Sequence, residues 1–191
     1  MDRLKARLAS RNANKARELE RLLAGWTIEL LEADEYPPEE GETYYENARG
    51  KARFGRTVAE PDAWVLGEDS GLEVAGLGGG PGLQSARSGG DDPVSWLLDE
   101  LAGMEGDRRR ARYVCELVGV SPAREEVRGT GRLEGRIADE SRGSEGFGFD
   151  PIFVPDGEQQ TVAELGNNWK AQHSHRARAA RAFLRALGKP G

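Results

Sequence analysis

The sequence is poor in cysteine and histidine and lacks long apolar runs, and each shortage excludes a class of protein. The chain of 191 residues contains one cysteine, Cys115, and two histidines. A single cysteine cannot form an internal disulfide or a four-cysteine zinc site, and its apolar surroundings predict a small core residue. No apolar run approaches the roughly 20 residues that span a bilayer, and the N-terminus lacks the hydrophobic segment of a signal peptide. We therefore expect a cytoplasmic protein that does not bind membranes.

Basic residues are also in deficit. The chain has 27 lysines and arginines against 33 aspartates and glutamates, which gives a net charge of −6. General binding to a nucleic-acid backbone needs a basic face, so this function class is disfavoured, whereas a small anion held by a few local cations is not. Only five of the 27 basic residues are lysines, so each lysine is a candidate for a specific role. The length fits a single domain with a substantial core, which we assign to residues 1–191.

One stretch combines carboxylates, a hydroxyl and glycines. An apolar run at residues 63–66 predicts a strand that ends in Glu68, Asp69 and Ser70, and a glycine-rich loop follows at residues 76–82. Hard oxygen ligands after a strand suit metal-assisted chemistry on a phosphate, and glycines let backbone N–H groups approach an anion. An Asp-Ser-Gly triplet by itself, however, is more typical of a turn. The other motifs have to decide between these interpretations.

The N-terminal segment predicts a strand, a polar turn and a helix. Residues 3–9 alternate apolar and basic side chains, and helical spacing of apolar residues follows Lys15 as far as about residue 24. The turn could bind an anion, because the first N–H groups of a helix have no intrahelical partner and Lys15 adds a positive charge. Equally, Ser10 or Asn12 could simply cap the helix.

The segment that follows combines an acidic loop with a well-marked helix start. Residues 32–42 are rich in glutamate and aspartate and predict a solvated loop. Thr43 and Glu46 then have the spacing of a capping box, and the helix should continue to about residue 58. We therefore expect Glu46 to cap this helix and not to bind metal. Further strands are predicted at residues 26–31, 112–120 and 125–138, the last pattern indicating strands with a bend, and a further helix begins at Pro93.

The C-terminal third contains an aromatic turn. Phe147 and Phe149 flank a glycine, and Asp150 precedes a proline. Such a turn can hold an aromatic ring against a flat ligand and direct a carboxylate at the ligand's edge. We expect Phe147 and Phe153 to lie in the core and Phe149 to face the ligand.

A basic cluster opens the last predicted helix. It comprises Lys170, His175 and Arg176. Cations at a helix N-terminus oppose the helix dipole, so the cluster indicates a polar or anionic partner; a solvated helix end is the alternative.

Taken together, these stretches resemble the inosine triphosphate pyrophosphatase family, whose members hydrolyse non-canonical purine nucleoside triphosphates to monophosphate and pyrophosphate. Six motifs carry the resemblance in order along nearly the whole chain: Ser10-x-Asn12-x-x-Lys15, Glu42–Ala48 with Lys51, Asp69–Leu72, Leu77–Gly82 with Ser85-Ala86-Arg87, Gly146–Pro151, and Lys170 with Ser174-His175-Arg176.

The resemblance implies a fold, a substrate class and a cofactor. The fold is α/β, an elongated mixed β-sheet with flanking helices that form two lobes around a central cleft, and the family is usually homodimeric. The implied substrates are the purine nucleotides ITP, dITP and XTP, and the implied cofactor is Mg²⁺. Asp69 is the expected general base and a metal ligand. Glu40 is the expected second ligand, with Glu39 close behind because the length of the acidic loop leaves the alignment open.

The resemblance also assigns substrate-binding residues. Those for the phosphates are Ser10, Asn12, Lys15 and Ser70, and those for the base and its pocket are Phe147, Gly148, Phe149, Asp150, Lys170, His175 and Arg176. The glycine-rich loop then shapes the cleft floor or a subunit contact and does not bind phosphate.

This chain departs from the family pattern at several positions. Arg11 stands where the family often has glycine, and Glu68 stands where a second aspartate is common, while Gln84 and Ser88 replace frequent aromatics. Two alternatives stay open: a related pyrophosphatase for other modified nucleotides, such as pyrimidines, or a non-catalytic nucleotide- or nucleic-acid-binding module. The acidic net charge and the intact carboxylates disfavour the second.

Overall fold

A computed structural model describes residues 3–188 and contains one six-stranded sheet with flanking helices. The first two and last three residues of the predicted 1–191 domain lie outside this range. The elements in chain order are β1 (Leu4–Leu8), α1 (Ala13–Leu22), β2 (Trp26–Leu30), α2 (Tyr44–Val58), β3 (Trp64–Val74), α3 (Pro93–Glu100), β4 (Arg110–Val120), β5 (Glu126–Ile137), β6 (Phe153–Pro155), α4 (Val162–His173) and α5 (His175–Ala186).

The sheet is mixed. Its strand order is β2-β1-β3-β4-β5-β6; β1 pairs in parallel with β2 and β3, whereas β6 is antiparallel to β5. The predicted α/β fold with a mixed sheet and flanking helices is confirmed. None of the helices within residues 3–188 is both long enough and apolar enough to cross a membrane.

The chain groups into two compact units. The first unit comprises the chain up to Asp69, Cys115–Gly131 and the segment from His175 onward, and the second comprises Ser70–Val114 and Arg132–Ser174. Each unit has its own apolar core. The predicted cleft between lobes stays a prediction.

The core of the first unit is built around aromatic rings and the last helix. Trp26 meets Trp64 and Phe183 edge-on, with ring centroids 5.4 and 5.9 Å apart. Helix α5 lies directly on β5, because a Cβ atom at Gly129 or Gly131 would collide with the backbone of α5. This close approach fixes the position of the start of α5, where His175 and Arg176 lie.

The core of the second unit joins α3, the sheet and the segment around β6. Its fully buried side chains include Leu72, Leu97, Leu101 and Phe153. Arg109 reinforces this packing, because its guanidinium donates hydrogen bonds to the carbonyl oxygens of four residues: Leu101, Met104, Ile137 and Ala138.

Two predictions about the sheet are wrong. Strand β3 does not end in Glu68, Asp69 and Ser70 but continues through them as far as Val74, so the Asp-Ser-Gly triplet is not a turn. Pairing within the sheet overrides the turn preference of these residues. The region 125–138 is one continuous strand and not strands with a bend, because its glycines make room for α5 and for Phe153 while the ladder continues.

Candidate active site

The polar turn before α1 is closed by a helix cap. The side-chain oxygen of Asn12 accepts hydrogen bonds from the backbone N–H groups of Asn14 and Lys15, at 3.0 and 3.3 Å. The hydroxyl of Ser10 accepts one from the backbone of Asn12, at 3.1 Å. The capping interpretation is therefore confirmed, with Asn12 as the cap. Binding of phosphate by this turn stays a prediction.

Glu68 lies at the centre of a buried charge cluster in the first unit. Its carboxylate is fully buried and contacts the ammonium of Lys15 at 2.6 Å and the guanidinium of Arg176 at 2.9 Å. Arg176 is 1% exposed and also forms an ion pair with Glu18. The thiol of Cys115 donates to the same carboxylate at 3.3 Å. The prediction that Cys115 is a core residue is confirmed, and the core there has a polar centre.

Asp69 points to the other face of β3, because neighbouring strand residues alternate. The ammonium of Lys51 donates to its Oδ1 at 2.9 Å, and the side-chain amide of Asn47 donates to its Oδ2 at 3.2 Å. Both donors lie on α2. Helix α2 can pack close enough to β3 for these contacts because β3 has Gly67 at the point of contact, where a Cβ atom would meet the backbone of Ala48 and Ala52.

The acidic loop contributes Glu39 to this cluster. Its carboxylate contacts the ammonium of Lys51 at 2.6 Å, so Lys51 bridges Glu39 and Asp69. Glu40, the first choice for a metal ligand, is exposed, and its role stays untested. Glu46 bonds back to the backbone of Thr43 in a complete capping box, which confirms its role as a cap.

The pKa values of the neighbouring carboxylates Glu68 and Asp69 are shifted in opposite directions. Burial alone would raise the pKa of Glu68, but Lys15 and Arg176 outweigh burial and hold this pKa well below its ordinary value. For Asp69, burial raises the pKa, Lys51 opposes the rise and Glu68 adds to it, so the pKa stays above its ordinary value. Two adjacent carboxylates with separated pKa values are typical of acid–base sites.

Glu39 and Asp69 offer carboxylate oxygens, the kind of ligand atom that Mg²⁺ prefers. Within residues 3–188, no group of three or more histidine, cysteine, aspartate or glutamate side chains has metal-binding geometry. Glu39 and Asp69 nevertheless bring hard oxygen atoms to one positive charge, the ammonium of Lys51. Mg²⁺ is commonly held by one or two carboxylates, with water and substrate phosphates completing its shell. This pair of side chains fits that pattern.

A second polar cluster lies in the second unit around Asp150. This side chain is 2% exposed and accepts hydrogen bonds from the ammonium of Lys170 at 2.6 Å and from the backbone of Phe147 at 2.8 Å. Tyr113 adds a longer contact of 3.5 Å. The ammonium of Lys170 also lies 4.1 Å from the centroid of the Phe147 ring. The turn therefore presents a carboxylate, a cation and an aromatic face together.

The expectation for the two aromatic residues of this turn is wrong. Phe149 is 5% exposed and packs in the apolar core of the second unit, whereas Phe147 is only partly buried. Gly148 between them has a φ of 62°, a left-handed conformation that favours glycine. Phe153 lies in the core, as predicted.

The remaining predicted site residues divide between the two units. Ser70 follows Asp69 on β3 and is half-exposed, Gly148 is exposed, and His175 is buried at the start of α5. The contacts of Arg176 are with Glu68 and Glu18 in the first unit, whereas Lys170 contacts Asp150 in the second. Substrate binding by these residues is untested.

Sequence reasoning gave no role to three residues that organise the carboxylates: Glu18, Asn47 and Lys51. The second motif of the resemblance included Asn47 and Lys51 but assigned neither to the site. Lys51 is one of five lysines, and its scarcity was the available signal. Asn47 lies one residue after the capping Glu46 and accepts a hydrogen bond from the backbone of Gly41 at 2.8 Å. Glu18 carried no signal, because a glutamate on a polar helix face is usually solvated.

Comparison with known proteins gives consistent matches over most of the chain. The sequence profile of the Ham1 family matches residues 6–186. A dITP/XTP pyrophosphatase of Bdellovibrio bacteriovorus is 44% identical over 155 residues, which cover 78% of this chain and 77% of the relative. A dITP/XTP pyrophosphatase of Thermus thermophilus is 41% identical, with 96% of this chain and 91% of the relative covered.

A solved structure supports the same relationship at the level of the fold. The Ham1 protein of Staphylococcus aureus superposes with a TM-score of 0.82 at 32% identity, covering 96% of this chain and 98% of that one. The motif resemblance, the profile match and the fold agree, and the chain belongs to the Ham1 family.

Proposed function

We propose that this protein hydrolyses the non-canonical purine nucleotides dITP, XTP and ITP to the nucleoside monophosphate and pyrophosphate. The observation that carries the proposal is the environment of Asp69, a carboxylate with a raised pKa held by Lys51 and Asn47. The relatives from Bdellovibrio bacteriovorus and Thermus thermophilus are both named dITP/XTP pyrophosphatases, which supports this substrate class.

Asp69 acts as the general base in the proposed reaction. Its carboxylate takes a proton from the water that attacks the α-phosphorus, and pyrophosphate leaves. A raised pKa makes Asp69 a stronger base near neutral pH than an exposed aspartate. Lys51 and Asn47 hold one oxygen each, so the carboxylate is oriented before substrate arrives. Positioning and charge neutralisation supply most of the rate in phosphoryl transfer.

The proposed cofactor is Mg²⁺, held by Asp69 and a glutamate of the acidic loop. Glu39 is the better candidate than Glu40, because it contacts the same ammonium as Asp69 while Glu40 is exposed. When bound, the ion neutralises phosphate charge and lowers the pKa of coordinated water. Isothermal titration of Mg²⁺ into Glu39→Gln and Glu40→Gln variants tests the assignment: Glu39→Gln should weaken binding and Glu40→Gln should not. The reverse pattern would restore Glu40.

The proposed substrate contacts divide into those for the triphosphate and those for the base. Ser10, Asn12 and Lys15 are assigned to the triphosphate together with Ser70. The base is assigned to the cluster of Asp150, Lys170 and Phe147. Phe147 replaces Phe149 as the stacking residue, because it is the less buried of the two rings.

Substrate choice follows from the 6-oxo group of the base. Hypoxanthine and xanthine carry this acceptor where adenine has an amino group, so a lysine ammonium suits them. A site built on specific hydrogen bonds rejects analogues that leave its groups unpaired. Arg176 is bound to Glu68 and Glu18, which favours a role in holding Glu68 over direct contact with the base. His175 beside it keeps its assignment to the pocket.

The decisive experiment measures pyrophosphate release from ITP, XTP, dITP, ATP, GTP and CTP with Mg²⁺. We expect the first three to be preferred by kcat/KM. Comparable turnover of ATP and GTP would refute the purine selectivity, and preference for CTP would indicate a pyrimidine-directed relative. Asp69→Asn should abolish turnover while calorimetry still detects nucleotide binding; an active variant would remove Asp69 from the mechanism.

We further propose that the protein is a cytoplasmic homodimer, as the family resemblance implies. Sedimentation velocity at micromolar concentration tests this assembly, and a single species at the mass of one 20.8 kDa chain would contradict it.

A further inference from the structure

Arg11 lies in the polar turn before α1 and departs from the family pattern. It contacts the acidic loop. Its guanidinium donates a hydrogen bond to the backbone carbonyl of Asp34 at 3.2 Å. The same group lies over the ring of Tyr36, 5.4 Å from the centroid. Both partners belong to residues 32–42, so one exposed side chain connects the turn before α1 to the loop that carries Glu39.

Tyr36 is the point where this loop is attached to the first unit. Its hydroxyl donates to the carbonyl oxygen of Leu31 at 2.7 Å, and its ring packs against Phe54 of α2 with centroids 5.6 Å apart. Burial raises the pKa of the Tyr36 phenol, and Arg11 and the backbone of Ser10 partly offset the rise. The Tyr36 ring is thus held between Arg11 of the polar turn before α1 and Phe54 of α2.

The loop borders open space along this part of its length, and Glu39 further along it pairs with Lys51. A cavity of about 1260 Å³ opens between the turn, the end of β2, the loop and the C-terminal half of α2, and Arg11, Tyr36 and Phe54 all line it. A segment that borders open space has few packing contacts, so single contacts determine how far it moves. At its other end, the loop is fixed by the hydrogen bond from Gly41 to Asn47. Glu39 lies between these two attachments.

We propose that Arg11 is a positioning residue that holds the acidic loop so that Glu39 stays beside Asp69. The inference rests on the proposed function for its catalytic consequence, because Glu39 is the proposed metal ligand. Its structural part does not depend on activity. Arg11 does not touch the reacting atoms. It acts through Tyr36 and the loop backbone. The arginine geometry is needed, since a planar guanidinium can stack on a ring and donate to a carbonyl together.

Hydrogen exchange followed by mass spectrometry tests the structural part without metal or nucleotide. In EDTA, Arg11→Met should speed amide exchange in the peptide of residues 31–42, whose hydrogen-bonded amides include those of Leu31, Gly41 and Glu42. The expected increase is roughly five- to fiftyfold, which corresponds to the loss of one stacking contact and one hydrogen bond. Peptides from α1 should exchange as in the unsubstituted protein. Arg17→Met is the matched control, because Arg17 lines the same cavity but bonds only locally to Asn14 at 2.6 Å. Unchanged loop exchange in Arg11→Met would overturn the proposal.

Activity measurements test the catalytic part. In Arg11→Met, the Mg²⁺ concentration for half-maximal pyrophosphate release should rise several-fold, with kcat at saturating Mg²⁺ within about twofold of the unsubstituted protein. Arg11→Lys should recover only part of the loop protection. A raised KM for nucleotide with an unchanged Mg²⁺ midpoint would show that Arg11 binds phosphate directly and would overturn the positioning role. If the unsubstituted protein released no pyrophosphate from any substrate, the proposed function would fail, while the exchange result would still decide the loop contact.

Discussion

Replacing Glu68 by glutamine should destabilise the first unit strongly and in a pH-dependent way. The substitution keeps the side-chain volume but removes the negative charge that Lys15 and Arg176 share. Arg176 is 1% exposed and would lose Glu68 as an ionic partner while keeping Glu18. Breaking a buried ion pair by removing one partner costs about 3–5 kcal/mol. The glutamine oxygen can still accept a hydrogen bond and Lys15 can reach water, so we expect about 3 kcal/mol.

The pH dependence follows from the direction of the pKa shift. The folded-state pKa of Glu68 is well below its ordinary value of 4.5, so its contribution is present above about pH 4.5 and is lost as pH falls toward the folded-state pKa. The difference in unfolding free energy between Glu68→Gln and the unsubstituted protein should therefore be constant from pH 6 to 8 and shrink below about pH 4.5.

Urea unfolding followed by circular dichroism in EDTA measures this difference. In a separate thermal scan at pH 7.5, the melting temperature should fall by roughly 6–12 °C. Glu126→Gln is the control, because Glu126 forms exposed ion pairs with Arg49 and Arg53 and should change stability by less than about 1 kcal/mol. A Glu68→Gln effect below about 1 kcal/mol, or one that does not change between pH 7.5 and pH 3, would refute the assignment of a buried, charged carboxylate.

Three further outcomes test other parts of the structure. Gly67→Ala should destabilise the protein by about 1–3 kcal/mol in urea unfolding and lower kcat, because its Cβ would displace α2. Gly50→Ala is the control within α2: its Cβ meets no atom within 4 Å, so it should stabilise the protein by about 0.5–1 kcal/mol. The Cys115 thiol, whose pKa burial and Glu68 raise well above its ordinary value, should react with a disulfide reagent only as fast as the protein unfolds; rapid labelling of the native protein would contradict its burial. Asp150→Asn should reduce kcat/KM for ITP and XTP by about 10- to 100-fold through loss of the charge that holds Lys170, and an unchanged substrate profile would remove Asp150 from base recognition.

Local signals in the sequence were sufficient where a short segment determines its own structure. The capping box at Thr43 and Glu46, the helix start at Pro93 and the strand at residues 4–8 all depend on neighbours within a few positions. The same holds for Asn12, whose cap involves the next three residues. These elements were therefore predicted close to their observed bounds.

Predictions were wrong or missing where distant contacts decide the structure. The turn preference of Asp69 and Ser70 gives way to strand pairing, which the local sequence does not show. Helix α4 was not predicted because Gly166, at a φ of 83°, and two following asparagines weaken its pattern. Which glutamate of the acidic loop meets Lys51 depends on how the loop is attached at both ends. Burial of Phe149 in place of Phe147 likewise follows from packing in the second unit.

The pairing of Glu68 with Arg176 has a consequence for how the chain is made. The two residues are 108 positions apart in sequence. At synthesis rates of about 5–20 residues per second, the carboxylate waits roughly 5–20 s on the ribosome before its buried partner exists. A nascent chain that ends before α5 lacks one of the two cations, Lys15 and Arg176, that compensate the burial of this carboxylate. Completion of the first unit is thus expected only after α5 has been synthesised, and chains released before α5 should be substrates for cellular quality control.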